Sequence, residues 1–154
     1  MPDTNIQAKD LTKEAPRSPY DELHGFAILP RTIDKCRAAI AGTIGEYHFD
    51  CPLDNVLFSF KDIKGDDFKA YVAEGHDDDE IAEWVMANGK TKTPDEIEAW
   101  SERFHHDYSY SDGSNGPEKK AWFEGECKRL GLEPEKVTLF DMLEVDDLAS
   151  FKQK

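Results

Sequence analysis

Cysteine pairs are missing from this sequence. Cys36, Cys51 and Cys127 are odd in number, far apart and form no CxxC, a pattern that argues against a disulfide framework or a zinc ribbon and reads as reduced, buried thiols. Long apolar runs are missing too. No stretch of about 18 apolar residues occurs, and the opening MPDTNIQAKDLTKEA has no apolar segment behind a basic start, so neither a membrane span nor export is expected and the protein is placed in the cytoplasm. No segment repeats at a period of about 20 to 50 residues and no low-complexity tract interrupts the chain. That leaves a polar leader over 1–15 and a single helical domain over 16–154, at a size where folding buries roughly 70% of the unfolded chain's surface. Positive charge is scarce: 19 Lys and Arg face 33 Asp and Glu, a formal net charge of −14. A surface of that sign repels phosphate backbones, which sets nucleic acid aside as a partner. GxSxG, HExxH and GxxxxGK[ST] are all absent, so nucleophile-elbow, zinc-protease and P-loop chemistry lack their geometry.

What is present has the period of helices. Thr32 is placed to cap a helix beginning near Ile33, with Ile33, Cys36 and Ile40 along one face and Gly42 or Gly45 as its stop. Leu53, Val56, Leu57 and Phe60 fall at i, i+3, i+4 and i+7, an apolar stripe. A shorter helix covers Asp66 to Glu74. In HDDDEIAEWVMANG, Asp77 and Glu80 have the spacing of a capping box and Gly89 is placed to end the helix, with Ile81, Trp84 and Val85 inward. TPDEIEAWSERF repeats the scheme, with Thr93 as cap, Pro94 in the first turn, Glu96 closing the box, and Ile97, Trp100 and Phe104 buried. After the loop DYSYSDGSNGP, helices over about 118–130 and 138–151 are separated by Gly131 and Pro134. No convincing strand pair or hairpin turn is visible, so the fold class is all-α, a single compact domain of about seven helices.

Two acidic arrangements imitate metal sites. His76 precedes Asp77–Glu80, but consecutive acids at a helix start point in different directions and stabilise the dipole without a ligand. Asp107 to Glu118 has the outline of a calcium loop, yet the position that needs glycine for a sharp turn holds Asp112, and Ser109 and Ser111 replace the usual acids. His105 and His106, being adjacent, do not share a helical face. No metal and no cofactor is therefore expected. A Cys–His couple drawn from His24, His48 and Cys51 requires the fold to bring them together.

The arginines are unevenly placed: Arg17, Arg31 and Arg37 are three of only five, within 21 positions. A guanidinium is a planar fork of donors suited to carboxylate or phosphate, and a helix N-terminus adds unpaired N–H groups. The expectation is a local positive pocket in which Arg17, Arg31 and Lys35 bind an anion, with Arg37 further along the helix, His24 joining and Asp34 orienting a cation. In that case Arg31→Ala weakens anion binding roughly tenfold and leaves folding intact. The competing reading is structural: Asp34, Asp21 and Glu22 neutralise these cations in salt bridges.

The string DLTKEAPRSPYDELHGFAILPRTIDKCRA, with GTIGEYHFDCPLDNVLFSF and GHDDDEIAEWV after it, resembles a bacterial family known only as a domain of unknown function, whose pattern runs PRSP, LxGfxxLPRxIDKxRA, G.Y.f..PLD and a D-rich helix start before a Trp. The match spans about residues 10–90 and draws attention to Arg17, Ser18, Arg31, Asp34, Lys35, Arg37 and Asp54. The resemblance implies a small bacterial cytosolic protein and supplies no activity. Two functions stay open: a noncatalytic binding or interaction protein, its partner a small anionic ligand or another protein, and an enzyme acting on a small anionic metabolite.

Overall fold

The computed structural model describes residues 8–151. Eight α-helices account for most of them: α1 Leu29–Ala41, α2 Pro52–Lys61, α3 Gly65–Ala73, α4 Asp78–Ala87, α5 Pro94–His105, α6 Ser109–Asp112, α7 Pro117–Leu130 and α8 Leu139–Phe151, with a 3-10 turn at Pro134–Lys136. None is long and apolar enough to cross a membrane. The mostly helical single domain agrees with the sequence pattern. Of the leader over 1–15, residues 1–7 lie outside the described residues. Leu11 is buried and its N–H donates to Thr43 O at 2.8 Å, which lays residues 8–15 against the end of α1.

One element departs from the all-α expectation. Strands β1 Glu22–Leu23 and β2 Phe26–Ala27 pair antiparallel, Glu22 opposite Ala27 and Leu23 opposite Phe26. The two-residue turn between them, His24 (φ 51°) and Gly25 (φ 86°), needs the left-handed region at both positions. His-Gly supplies it less conspicuously than Asn-Gly. Ser101 of α5 anchors the hairpin, its hydroxyl donating to Gly25 O at 2.6 Å and accepting from Ala27 N–H at 2.9 Å.

The hairpin delivers the chain into α1 a turn earlier than expected. Ile28 precedes the helix at φ 62°, Pro30 fits the first turn, and Thr32 therefore sits inside the helix rather than capping it. Gly42, at φ 79°, ends the helix. Ile33 and Cys36 are buried, but Ile40 is largely exposed because the end of α1 runs clear of the core. On α2 the fully buried face is Asp54, Leu57, Phe58 and Lys61, one register step from the apolar stripe, and Val56 points outward. The capping boxes at Asp77/Glu80 and Thr93/Glu96 form as spaced. The loop DYSYSDGSNGP contains the short helix α6.

Aromatic side chains run through the core. Trp100 stacks on Phe60 with centroids 4.6 Å apart and meets Phe104 edge-on, and Phe104 packs on Phe140 of α8 at 4.6 Å. Tyr20 meets Phe140 edge-on, so the segment Pro16–Tyr20, which turns at Pro19–Tyr20, is held to α8 from the outside. Its hydroxyl donates to Asp141 at 2.6 Å, and Ser18 donates to Glu144 at 2.5 Å. This segment straps the first helix to the last.

Candidate functional site

Four consecutive-turn polar residues of α1, Arg31, Thr32, Asp34 and Lys35, are each no more than 4% exposed. Buried charges survive only when paired and hydrogen-bonded, and each finds its partner outside α1, Thr32 and Lys35 sharing Asp54. Arg31 grips Asp147 of α8 through both Nη atoms, at 2.8 and 3.3 Å, and Tyr47 donates to the same carboxylate at 2.7 Å. The guanidinium also lies 5.7 Å from the centroid of the Tyr47 ring. Burial and the Asp147 charge push the Tyr47 hydroxyl well above its ordinary pKa, so it remains a donor. Lys35 Nζ meets Asp54 at 2.9 Å and Cys51 Sγ at 3.4 Å, while Thr32 donates to Asp54 at 2.8 Å. The second Asp54 oxygen accepts the Asp50 and Cys51 N–H groups and so starts α2.

The Arg17 side chain turns away from these two, while its carbonyl accepts from Arg31 Nη1 at 3.2 Å. Its backbone N–H, Nε and Nη2 all donate to Asp34 at 2.8–3.1 Å, and its Nη1 reaches Asp78 at the start of α4. Arg37 donates to the other oxygen of Asp78 at 2.9 Å and to His76 O. Burial alone would raise the Asp78 pKa, but the two guanidinium groups outweigh it and hold the carboxyl below its ordinary value. Asp78 in turn, with Asp34, raises Arg17 against the effect of its burial. His24 lies next along, 3.0 Å from Asp79. The six residues singled out by the sequence thus point three ways: Arg17, Asp34, Arg37 and His24 toward α4, Arg31 toward α8, and Lys35 toward α2. Their carboxylate partners are mainly Asp54, Asp78 and Asp147; Asp34 is paired as foreseen, and Asp21 and Glu22 are not involved.

Arg31 and Lys35 share the margin of one cavity of about 450 Å³. Its walls are Tyr47, Pro52, Leu53, Tyr110, Trp122, Leu139 and Leu143, contributed by the loop after α1, α2, α6, α7 and α8. His48 and Cys51 also line it, so two of the three residues of the Cys–His group come to one place and His24 does not. Lys119 sits at the rim above the Tyr110 ring at 5.9 Å and bonds Asn115, with no carboxylate against it among the described residues. Glu46, Glu118 and Asp146 complete a rim of mixed sign, with Asp146 already held by Arg129 at 2.7 Å. Hollows of about 640 and 650 Å³ elsewhere along α8 gather neither buried cations nor a comparable aromatic wall. A second hollow of about 410 Å³ beside Trp100 and Arg103 shares Leu53, Tyr110, Lys119 and Leu139 with this cavity.

The wall residues Tyr110, Lys119 and Trp122 escape a sequence reading because they lie on α6 and α7, where apolar periodicity is weak. Trp122 is the one visible signal: it is 48% exposed beside the buried Phe123, a costly position for a large ring with nothing to cover it. Among the described residues no group of three or more His, Cys, Asp or Glu is gathered to hold a metal ion, and the calcium-like loop from Asp107 is instead occupied by α6.

The model of a protein family described as "Domain of unknown function (DUF5069)" matches residues 13–149. Among curated proteins none matches the chain.

Proposed function

Since the chain belongs to this DUF5069 family of domains of unknown function, which brings no activity with it, we propose from its geometry that it is a noncatalytic protein of the bacterial cytoplasm that binds a small organic anion with an apolar body. The three free thiols support that compartment. The observation that carries the reading is the cavity where buried Arg31 and Lys35 meet the aromatic and aliphatic wall of Tyr47, Tyr110, Trp122 and Leu143. A ligand pocket of this size is typically apolar with a few fixed polar groups. Asp147 and Asp54 hold the two cations in place rather than leaving them as free charge, so the unneutralised attraction comes from Lys119. With three acids also at the rim, the favoured ligand carries one acidic group on an aromatic or branched aliphatic body, and polyanions are disfavoured.

The experiment is a thermal-shift series of aromatic monocarboxylates, aliphatic dicarboxylates and inorganic phosphate. At about 100 times Kd a ligand contributes about 2.7 kcal/mol, which for a protein of this size is a rise of roughly 5–10 °C. The aromatic monocarboxylates are expected to raise Tm and to change Trp122 fluorescence, and Lys119→Glu, an exposed change, is expected to weaken them about tenfold. A flat response across the series, or a response to phosphate alone, overturns the reading.

A further inference from the structure

Four of the five arginines are paired. Arg17, Arg31, Arg37 and Arg129 each hold a carboxylate at 2.7–3.0 Å, as expected where 33 acids face 19 basic residues. Arg103 is the exception: it is exposed on α5, and no carboxylate among the described residues pairs with it. It lines the second hollow of about 410 Å³, where Trp100, Phe104 and Leu139, each no more than 8% exposed, are its apolar neighbours. Asp107 lines that hollow too, but its carboxylate accepts the Ser109 N–H at 2.8 Å and forms no ion pair with Arg103. A second observation joins this hollow to the cavity. Pro52, Leu53, Tyr110, Lys119 and Leu139 line both, so an occupant of one touches the wall of the other. Charge changes from one to the other. In the cavity Asp147 and Asp54 already neutralise Arg31 and Lys35, and Glu46 and Glu118 stand at its rim; the second hollow has Arg103 and Lys119 against Asp107 alone.

We infer that one ligand occupies both hollows, with its apolar end against Trp122 in the cavity and its carboxylate beside Arg103 in the second hollow. The inference rests on the cavity binding an organic anion, as proposed above, and narrows the class to an elongated acid: an aromatic or branched group separated from a single carboxylate by a flexible chain. The chain lies across Leu53, Tyr110 and Leu139, which border both spaces. A guanidinium with no counterion offers a carboxylate two parallel N–H donors, the geometry in which such bonds are strongest. Lys119, at the boundary, attracts the same group from the other side. The reverse orientation sets the carboxylate among Glu46 and Glu118, where like charge opposes it.

The test is calorimetric titration of the full chain with phenylalkanoates of increasing length, from benzoate to phenylhexanoate, each beside its neutral primary amide. Length alone strengthens acid and amide together, about fourfold per buried methylene, so the quantity read is the acid-to-amide affinity ratio. A carboxylate held only by Lys119 keeps that ratio constant along the series. With Arg103 at the far end, the ratio is expected to climb about tenfold once the chain is long enough to reach it. Arg103→Gln should flatten the climb with Tm and the circular dichroism spectrum unchanged, since no partner is lost. Lys128→Gln is the control for net charge: Lys128 is exposed on α7 and lines neither hollow, and the climb should survive its removal. A ratio independent of length, a climb that persists in Arg103→Gln, or one lost equally in Lys128→Gln overturns the inference. The short acids separate the two proposals. If benzoate and phenylacetate bind and the ratio stays flat, only the spanning ligand falls; if no member of the series binds, both fall.

Discussion

Arg31 is the residue at which the ligand-binding and structural readings of the arginine patch meet. It is 3% exposed, and Asp147, its carboxylate, is 8% exposed. Replacing a buried pair by apolar groups is tolerated, whereas removing one member strands the other. Arg31→Ala is therefore expected to cost about 3–5 kcal/mol, a fall in Tm of roughly 6–20 °C by thermal denaturation, and not to leave folding intact as expected for a residue serving only a ligand. The control is Arg31→Met with Asp147→Leu, which should recover most of the loss; a single variant as stable as the wild type would show that the pair contributes nothing. The clustering of Arg17, Arg31, Lys35 and Arg37 was visible in the sequence, and in the fold each of them holds a carboxylate. Of those carboxylates the competing structural reading named only Asp34. Asp54 stands out only through the family pattern, Asp78 and Asp147 look like any other acids among 33, and choosing among them requires knowing which elements face each other.

At the scale of the element, helix starts were legible and buried faces less so. The boxes at Asp77/Glu80 and Thr93/Glu96 formed as spaced because capping is a local bargain between residues three apart. The inner face of α2 was displaced by one position because Asp54 and Lys61 are buried on it, Lys61 donating to the Met86 and Lys90 carbonyls. A hydrophobicity pattern has no means of anticipating polar groups that bury because distant backbone satisfies them. Burial, with help from Lys92, lowers the Lys61 pKa. The same contact fixes Gly89. At φ +69° a Cβ there would lie 1.8 Å from Lys61 O, a backbone atom that cannot step aside. Gly89→Ala is expected to cost more than about 2 kcal/mol in urea denaturation. Gly125, in the exposed middle of α7 with nothing within 4 Å of its Cβ position, provides the contrast. Gly125→Ala should stabilise by about 0.4–1 kcal/mol. Similar responses at the two glycines would contradict the geometry.

Over the whole molecule, Asp78 joins the strap, α1 and α4 through Arg17 and Arg37. Its folded pKa lies below the ordinary value of 3.8. Its ionised form thus contributes stability that is fully present above about pH 4 and is lost as pH falls through the lower folded value. Because the carboxylate is about a third exposed, solvent screening limits the contribution, and Asp78→Asn is expected to cost about 1–2 kcal/mol at pH 7. The difference between variant and wild type should shrink as the pH is lowered below 4, as read by denaturant midpoints. A difference constant with pH would assign the loss to packing instead.

The strap and the Arg31–Asp147 pair also impose an order in time. The two charges are separated by 116 positions along the chain, and a ribosome adding about 5–20 residues per second reaches the second roughly 6–20 s after the first. Through that interval α1 carries a guanidinium with no counterion to bury against, and the hairpin, α2 and the aromatic chain have no Phe140 to close on. Synthesis from the N-terminus is therefore not accompanied by stepwise consolidation: α1 is locked only once α8 has emerged.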